Sequence, residues 1–98
     1  MKVNLNTVHM DSSASLRNYV EERVNKLDKF MDNIVSADVT LKEINEGVNT
    51  VEGEISLHVP GDTLFASSRG ENNGKVLAEC TDALKRQIKK YKEKLSAH

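Results

Sequence analysis

Cys80 is the only cysteine in 98 residues, which excludes an intrachain disulfide and, without a second thiolate, a cysteine metal cage. Such usage fits a reducing, cytoplasmic setting. Long apolar runs are missing as well. The opening "MKVNLNTVHMDSS" lacks the apolar stretch of a secretory leader, and nothing approaches the roughly 18 consecutive apolar residues of a membrane span. Neither secretion nor membrane insertion is expected. Aromatics make up only 4% of the chain, so Val, Leu and Ile must fill the core.

The groupings that support catalysis are also scarce. His9, His58 and His98 have no mutual spacing suited to a metal. "GENNG" and "PGD" contain glycines but neither the Lys-Ser/Thr pair nor the third glycine of a phosphate-cradling loop, so they read as turns. The acidic pairs Glu21-Glu22 and Glu52/Glu54 have nothing apolar beside them to raise a carboxyl pKa. Cys80 falls on the apolar stripe of a helix, where a thiol behaves as a small hydrophobe. No enzyme is expected, and with it no cofactor, no metal and no small-molecule substrate.

What is present is a mixture of 38% hydrophobic and 30% charged residues, the composition of a folded chain. The length suits one domain over residues 1–98, able to bury roughly 60–65% of its unfolded surface. "VNLNTVH" alternates Val3, Leu5 and Thr7 against Asn4, Asn6 and Val8, the period of a strand with one buried face. In "DSSASLRNYVEERVNKLDKFMD", Leu16, Val20, Val24, Leu27 and Met31 recur every three or four residues, flanked by Tyr19 and Phe30. That stripe predicts a helix capped by Ser13 and closed by the "DN" after Met31. Three further strands are predicted: Val35, Ala37, Val39 and Leu41 share a face in one, Val51, Gly53, Ile55, Leu57 and Val59 in the next, and "TLFASS" makes the last. Asn45–Asn49 and Pro60-Gly61-Asp62 separate them as an antiparallel meander. Leu77, Cys80, Leu84, Ile88, Tyr91 and Leu95 then mark a long final helix. The expected fold is α+β: a β-α-β-β-β-α sandwich, a four-stranded sheet with two helices packed on one face.

Charge is unevenly divided. Before Lys75 the chain has seven basic and twelve acidic residues; from Lys75 onward it has seven basic and three acidic, so a formal net charge of −1 conceals a dipole. "KRQIKKYKEK" (85–94) concentrates Lys85, Arg86, Lys89, Lys90, Lys92 and Lys94 around the single acid Glu93. On a helical wheel Lys75, Arg86, Lys89 and Lys90 oppose the core stripe, with Lys85, Lys92 and Lys94 on its flanks. A solvated helix surface explains many charge runs, but this one holds more cations than a helix dipole needs, spread over about 14 Å of axis. Helix one adds Arg17, Arg23, Lys26 and Lys29, interleaved with acids; the wheel puts Arg23 inside the apolar stripe, where its stem can cover hydrophobic surface. Tyr91 is expected to pack rather than stack on a base.

"LKRQIKKYKEKL" (84–95) resembles the L-x-R-Q-h-[RK]-K-Y-K-x-K-L signature (h apolar) of the ribosome hibernation promoting factors and ribosome-associated inhibitor A proteins, once labelled sigma-54 modulation proteins. "VHMDSSASLRNYVEERVNKLDKF" is similar to the same family's first-helix pattern. The resemblance implies a β-α-β-β-β-α domain that binds the small ribosomal subunit in the channel used by messenger RNA and transfer RNA anticodon ends, and so inhibits translation. By position it implies that Arg17, Arg23, Lys26 and Lys29 of helix one, and Arg86, Lys89, Lys90, Lys92 and Lys94 of helix two, contact ribosomal RNA; Lys85 joins them from the basic run. Gly74 and Ala78 stand where the family has tyrosine and aspartate, which predicts a later start for helix two. The chain ends soon after the signature, as in the family's short class. Two other readings compete: an adaptor whose Glu43, Glu46, Glu52 and Glu54 meet a basic protein, and a small hydrolase on the same scaffold, which lacks a nucleophile, base and metal set.

Overall fold

The computed structural model describes residues 1–96; His98, weighed above as a metal ligand, lies outside them. The elements follow the expected order: β1 (Lys2–Val8), α1 (Ala14–Asn25), a 3-10 turn (Lys26–Lys29), β2 (Ser36–Glu46), β3 (Asn49–Val59), β4 (Asp62–Gly70) and α2 (Asn73–Ser96). The strands lie side by side as β1-β2-β3-β4. β2, β3 and β4 form the antiparallel meander, whereas β1 pairs parallel to β2, because α1 carries the chain back along the sheet before β2 begins.

Two short turns set the register of the meander. The strands run further into the Asn45–Asn49 segment than its composition suggests, leaving only Gly47 and Val48 between Glu46 and Asn49. Gly47 has φ 66°, the left-handed conformation that a two-residue hairpin requires. Pro60 and Gly61 join β3 to β4, with Gly61 at φ 78°, as a type II turn demands of its second central residue.

Alternation places Ala37, Val39 and Leu41 of β2, Val51, Ile55, Leu57 and Val59 of β3, and Leu64 and Ala66 of β4 on one buried face. Both helices cover that face, α1 over β1 and α2 over β3 and β4. Val20 and Val24 of α1, with Leu27 of the 3-10 turn, enter the core from one side; Val76, Leu77, Cys80, Leu84, Ile88 and Tyr91 of α2 enter from the other. Tyr91 packs as expected, and its hydroxyl donates to the Pro60 carbonyl. Two glycines let α2 approach the sheet closely. A Cβ on Gly53 would lie 2.3 Å from Val76 Cγ1, and one on Gly70 would lie 3.2 Å from Val76 Cγ2.

Helix α1 starts where expected, with Ser13 Oγ accepting the Leu16 amide at 3.1 Å. It ends earlier, at Asn25, and tightens into the 3-10 turn, so Met31 and Ile34 reach the core from the connecting segment. Asn33, with φ 71°, turns the chain toward β2. Helix α2 corrects the expected late start. Asn72 Oδ1 accepts the Lys75 amide at 2.8 Å, an N-cap that begins the helix at Asn73 despite Gly74 in its first turn. The space above Gly74 is occupied by Tyr19, whose hydroxyl lies 2.8 Å from where a Cβ would stand.

Two predicted core positions are exposed. Val35 (62% exposed) precedes β2: its amide donates to the His58 carbonyl, but its side chain falls short of the core. Leu95 (53% exposed) lies in the last turn of α2. The outer edge of β4 is met by side chains of α2. Gln87 Nε2 donates to the Phe65 carbonyl at 2.6 Å while Gln87 Oε1 accepts the Phe65 amide at 3.3 Å, and Ser68 Oγ donates to Glu79.

Candidate nucleic-acid interface

Because the apolar stripe of α2 is used against the sheet, its remaining circumference must carry the basic residues. Lys75, Arg86, Lys89, Lys90, Lys92 and Lys94 are exposed and Lys85 is half-buried. Among the described residues, Lys75, Arg86, Lys89, Lys90 and Lys94 have no carboxylate within ion-pair distance. Lys85 has an acidic neighbour, Asp82 at 3.7 Å one turn earlier, and its ammonium also stands 5.1 Å from the centre of the Phe30 ring. Lys92 donates to the Phe30 carbonyl at 3.1 Å.

The run has two flanks rather than one ridge. Lys85, Arg86, Lys89 and Lys92 line a groove of about 760 Å³ with Phe30, Ile88 and Glu93, on the side facing the end of the 3-10 turn. Lys90 and Lys94 line a smaller recess of about 230 Å³ beside β4, with Asp62, Leu64, Gln87 and Tyr91.

The structure brings Arg23 of α1 and Lys26 of the 3-10 turn together with Lys85, in a crevice of about 190 Å³ that Asp82 also lines. Lys85 thus belongs to both crevice and groove, and links the basic residues of the two helices. Arg17 and Lys29 are exposed but contribute to neither cavity. Arg23 is not sunk in the stripe as the wheel suggests: it is exposed, with its guanidinium carbon 5.2 Å from the centre of the Tyr19 ring. Asp28, one of the interleaved acids, is held by the N-terminal ammonium at 3.1 Å.

Phe30 was not among the candidates. It is 43% exposed, because Leu27 and Met31 on either side of it take the core positions. Two sequence signals mark it: its place beside the stripe, next to Lys29, and the aromatic that closes the first-helix pattern.

The acidic segment offers less for a partner than its composition suggests. Arg69 pairs with Glu46 at 2.6 Å and with Glu52 at 2.9 Å, leaving Glu43 and Glu54 of the four adaptor candidates without an ion pair among the described residues. Asp38, on the sheet face away from the helices, bonds His58 Nε2 at 2.8 Å and accepts from Asn4 Nδ2 at 3.0 Å. The bond to His58, then that from Asn4, holds its carboxyl below the ordinary aspartate value. Cys80 lies under α2 with Sγ 3.8 Å from the Gly53 carbonyl, and burial pushes its thiol up to about 11. Among the described residues no group of three or more His, Cys, Asp or Glu side chains is placed to hold a metal, and no helix is long and apolar enough to cross a membrane.

The family profile described as "Sigma 54 modulation protein / S30EA ribosomal protein" matches residues 3–96. The chain belongs to this family. A ribosome hibernation promoting factor of Azotobacter vinelandii is 32% identical over 96 residues, covering 96% of this chain and 85% of that one. The protein of the same name from Escherichia coli K12 is 30% identical over 98 residues, covering both chains fully. The N-terminal domain of Thermus thermophilus Protein Y superposes with a TM-score of 0.82 at 23% identity, covering 93% of this chain and 99% of that one. A ribosomal subunit interface protein from Coxiella burnetii also gives 0.82, at 22% identity, covering 95% and 99%. These two likenesses show a shared fold.

Proposed function

We propose that residues 1–98 act as one ribosome-binding domain of the S30EA family, a hibernation factor that occupies the small subunit in the messenger and transfer RNA channel and blocks translation in the cytoplasm. It is a binding protein, not an enzyme. The observation that carries the proposal is that, among the described residues, Lys75, Arg86, Lys89, Lys90 and Lys94 of α2 have no carboxylate within ion-pair distance while Arg69, on the sheet, is neutralised twice. A rigid helix fixes the spacing of the cations it carries, so only side-chain freedom is lost when they meet phosphates, and folded ribosomal RNA offers phosphates at fixed positions. Lys85, Arg86, Lys89, Lys90, Lys92 and Lys94 supply the main contact; Arg23 and Lys26 extend it across the crevice, and Arg17 of α1 and Lys29 of the 3-10 turn extend it further.

Binding through about six cations, each contributing roughly 0.7–0.9 log units of affinity per log unit of salt, weakens on the order of 10³-fold between 50 and 200 mM salt. Titration of purified small subunits across that range tests this, and a flat response refutes it. Lys89→Glu with Lys90→Glu, both exposed, leaves the fold intact and releases the protein from small subunits in a sucrose gradient. Undiminished co-sedimentation of that variant counts against the basic helix.

A further inference from the structure

Phe30 is an anomaly in a chain with few aromatics: its ring stands open in a groove whose other walls are mostly cationic. The groove, about 760 Å³, falls within the roughly 300–1,000 Å³ range of small-ligand sites. Its apolar surface comes from Phe30, Ile88 and the lysine stems, its charge from Lys85, Arg86, Lys89 and Lys92 against the single acid Glu93. The bond from Lys92 Nζ to the Phe30 carbonyl fixes the backbone that carries the ring, and Lys85 already uses the ring as a cation–π partner. A flat π-surface surrounded by phosphate-binding groups matches a nucleotide whose base has left its stack: the base lies against the ring, and its phosphates meet the ammonium and guanidinium groups. A base-paired segment offers phosphates but no free base face. A peptide partner would have to be acidic to suit the same walls.

We propose that the groove between Phe30 and α2 seats one unpaired nucleotide of RNA, its base stacked on Phe30 and its phosphates on Arg86 and Lys89. The proposal rests on the ribosomal RNA reading above and adds to it a contact that discriminates looped-out from paired RNA.

The test uses purified small subunits, a fluorescent twelve-nucleotide oligouridylate and a twelve-base-pair RNA duplex, with wild type, Phe30→Ala, Phe30→Tyr and Lys89→Glu. Loss of one stacked base weakens binding about 10-fold. Phe30→Ala is therefore expected to bind subunits and the single strand about 10-fold more weakly, with duplex affinity and the salt slope unchanged, because no phosphate contact is lost. Phe30→Tyr, which keeps a ring, behaves as wild type. Lys89→Glu weakens all three and lowers the slope by about one charge. The proposal is overturned if Phe30→Ala matches wild type on the single strand, or weakens single strand and duplex alike. An effect of Phe30→Ala on subunits but not on the single strand also overturns it and assigns the groove to a ribosomal protein. Salt-independent binding of the wild type to subunits instead brings down the broader ribosomal RNA reading.

Discussion

Replacing Gly53 by alanine tests how α2 is seated on the sheet. The added methyl would lie 2.3 Å from Val76 Cγ1 and 3.3 Å from Leu41 Cδ2, whereas carbon atoms pack at roughly 3.5–4.0 Å. More than an ångström must be recovered, and no mobile chain end is available: Val76 is fully buried, wedged between Gly53 and Gly70 on neighbouring strands, and valine in a helix has one strongly preferred rotamer. Overpacking of this kind costs about 1–3 kcal/mol, here near the upper end. Alanine's lower freedom in the unfolded chain returns about 0.4–1 kcal/mol. The net loss is about 2 kcal/mol, which at about 4–8 °C per kcal/mol lowers the melting temperature by about 8–16 °C. Thermal unfolding followed by circular dichroism measures it. Val76→Ala alone leaves a cavity that the methyl introduced by Gly53→Ala partly fills, so the double variant should be at least about 1 kcal/mol more stable than the sum of the singles predicts. Additive losses, or a melting temperature unchanged in Gly53→Ala, would refute the close approach of α2 to β3.

Two further predictions concern titratable groups. With its thiol pushed up to about 11 and no exposure, Cys80 should react with a thiol reagent at pH 8 at least about a hundredfold more slowly in the folded protein than in urea; fast stoichiometric labelling would contradict its place under α2. Asp38 is held below its ordinary value of 3.8, so it adds stability above that value and loses it as pH falls through the lower folded value. Asp38→Asn should therefore melt below wild type at neutral pH, with the gap closing on acidification, and a gap that widens in acid would reverse the sign of the argument.

The order of elements and the buried faces were legible because alternation and helical periodicity register directly which side chains meet the core. Val35 and Leu95 show the limit of that reading: each continues a pattern past the point where its element still has something to pack against. The break of α1 at Asn25 leaves the periodicity intact, since Leu27 and Met31 are buried from either backbone. The start of α2 rests on the local Asn72 cap, and the use of Gly74 within its first turn on a contact between elements. Gly74 looks like a helix breaker until Tyr19, distant in sequence, fills the space above it. In the candidate interface, helical spacing showed that the α2 cations face outward. It could not show that they divide between a groove toward Phe30 and a recess beside β4, because that division depends on where the 3-10 turn and the last strand lie.

The Gln87 amide gives the backbone of Phe65 both a donor and an acceptor, standing in for one residue of a fifth strand. A second chain seeking to extend the sheet at β4 would find that rung already taken. Since Gln87 sits between Arg86 and Lys89, one helix turn presents cations to solvent while its inner side caps one residue of the sheet edge. Strand addition across Phe65 would first have to displace the Gln87 amide, so a helix side chain sets part of the cost of pairing at this margin.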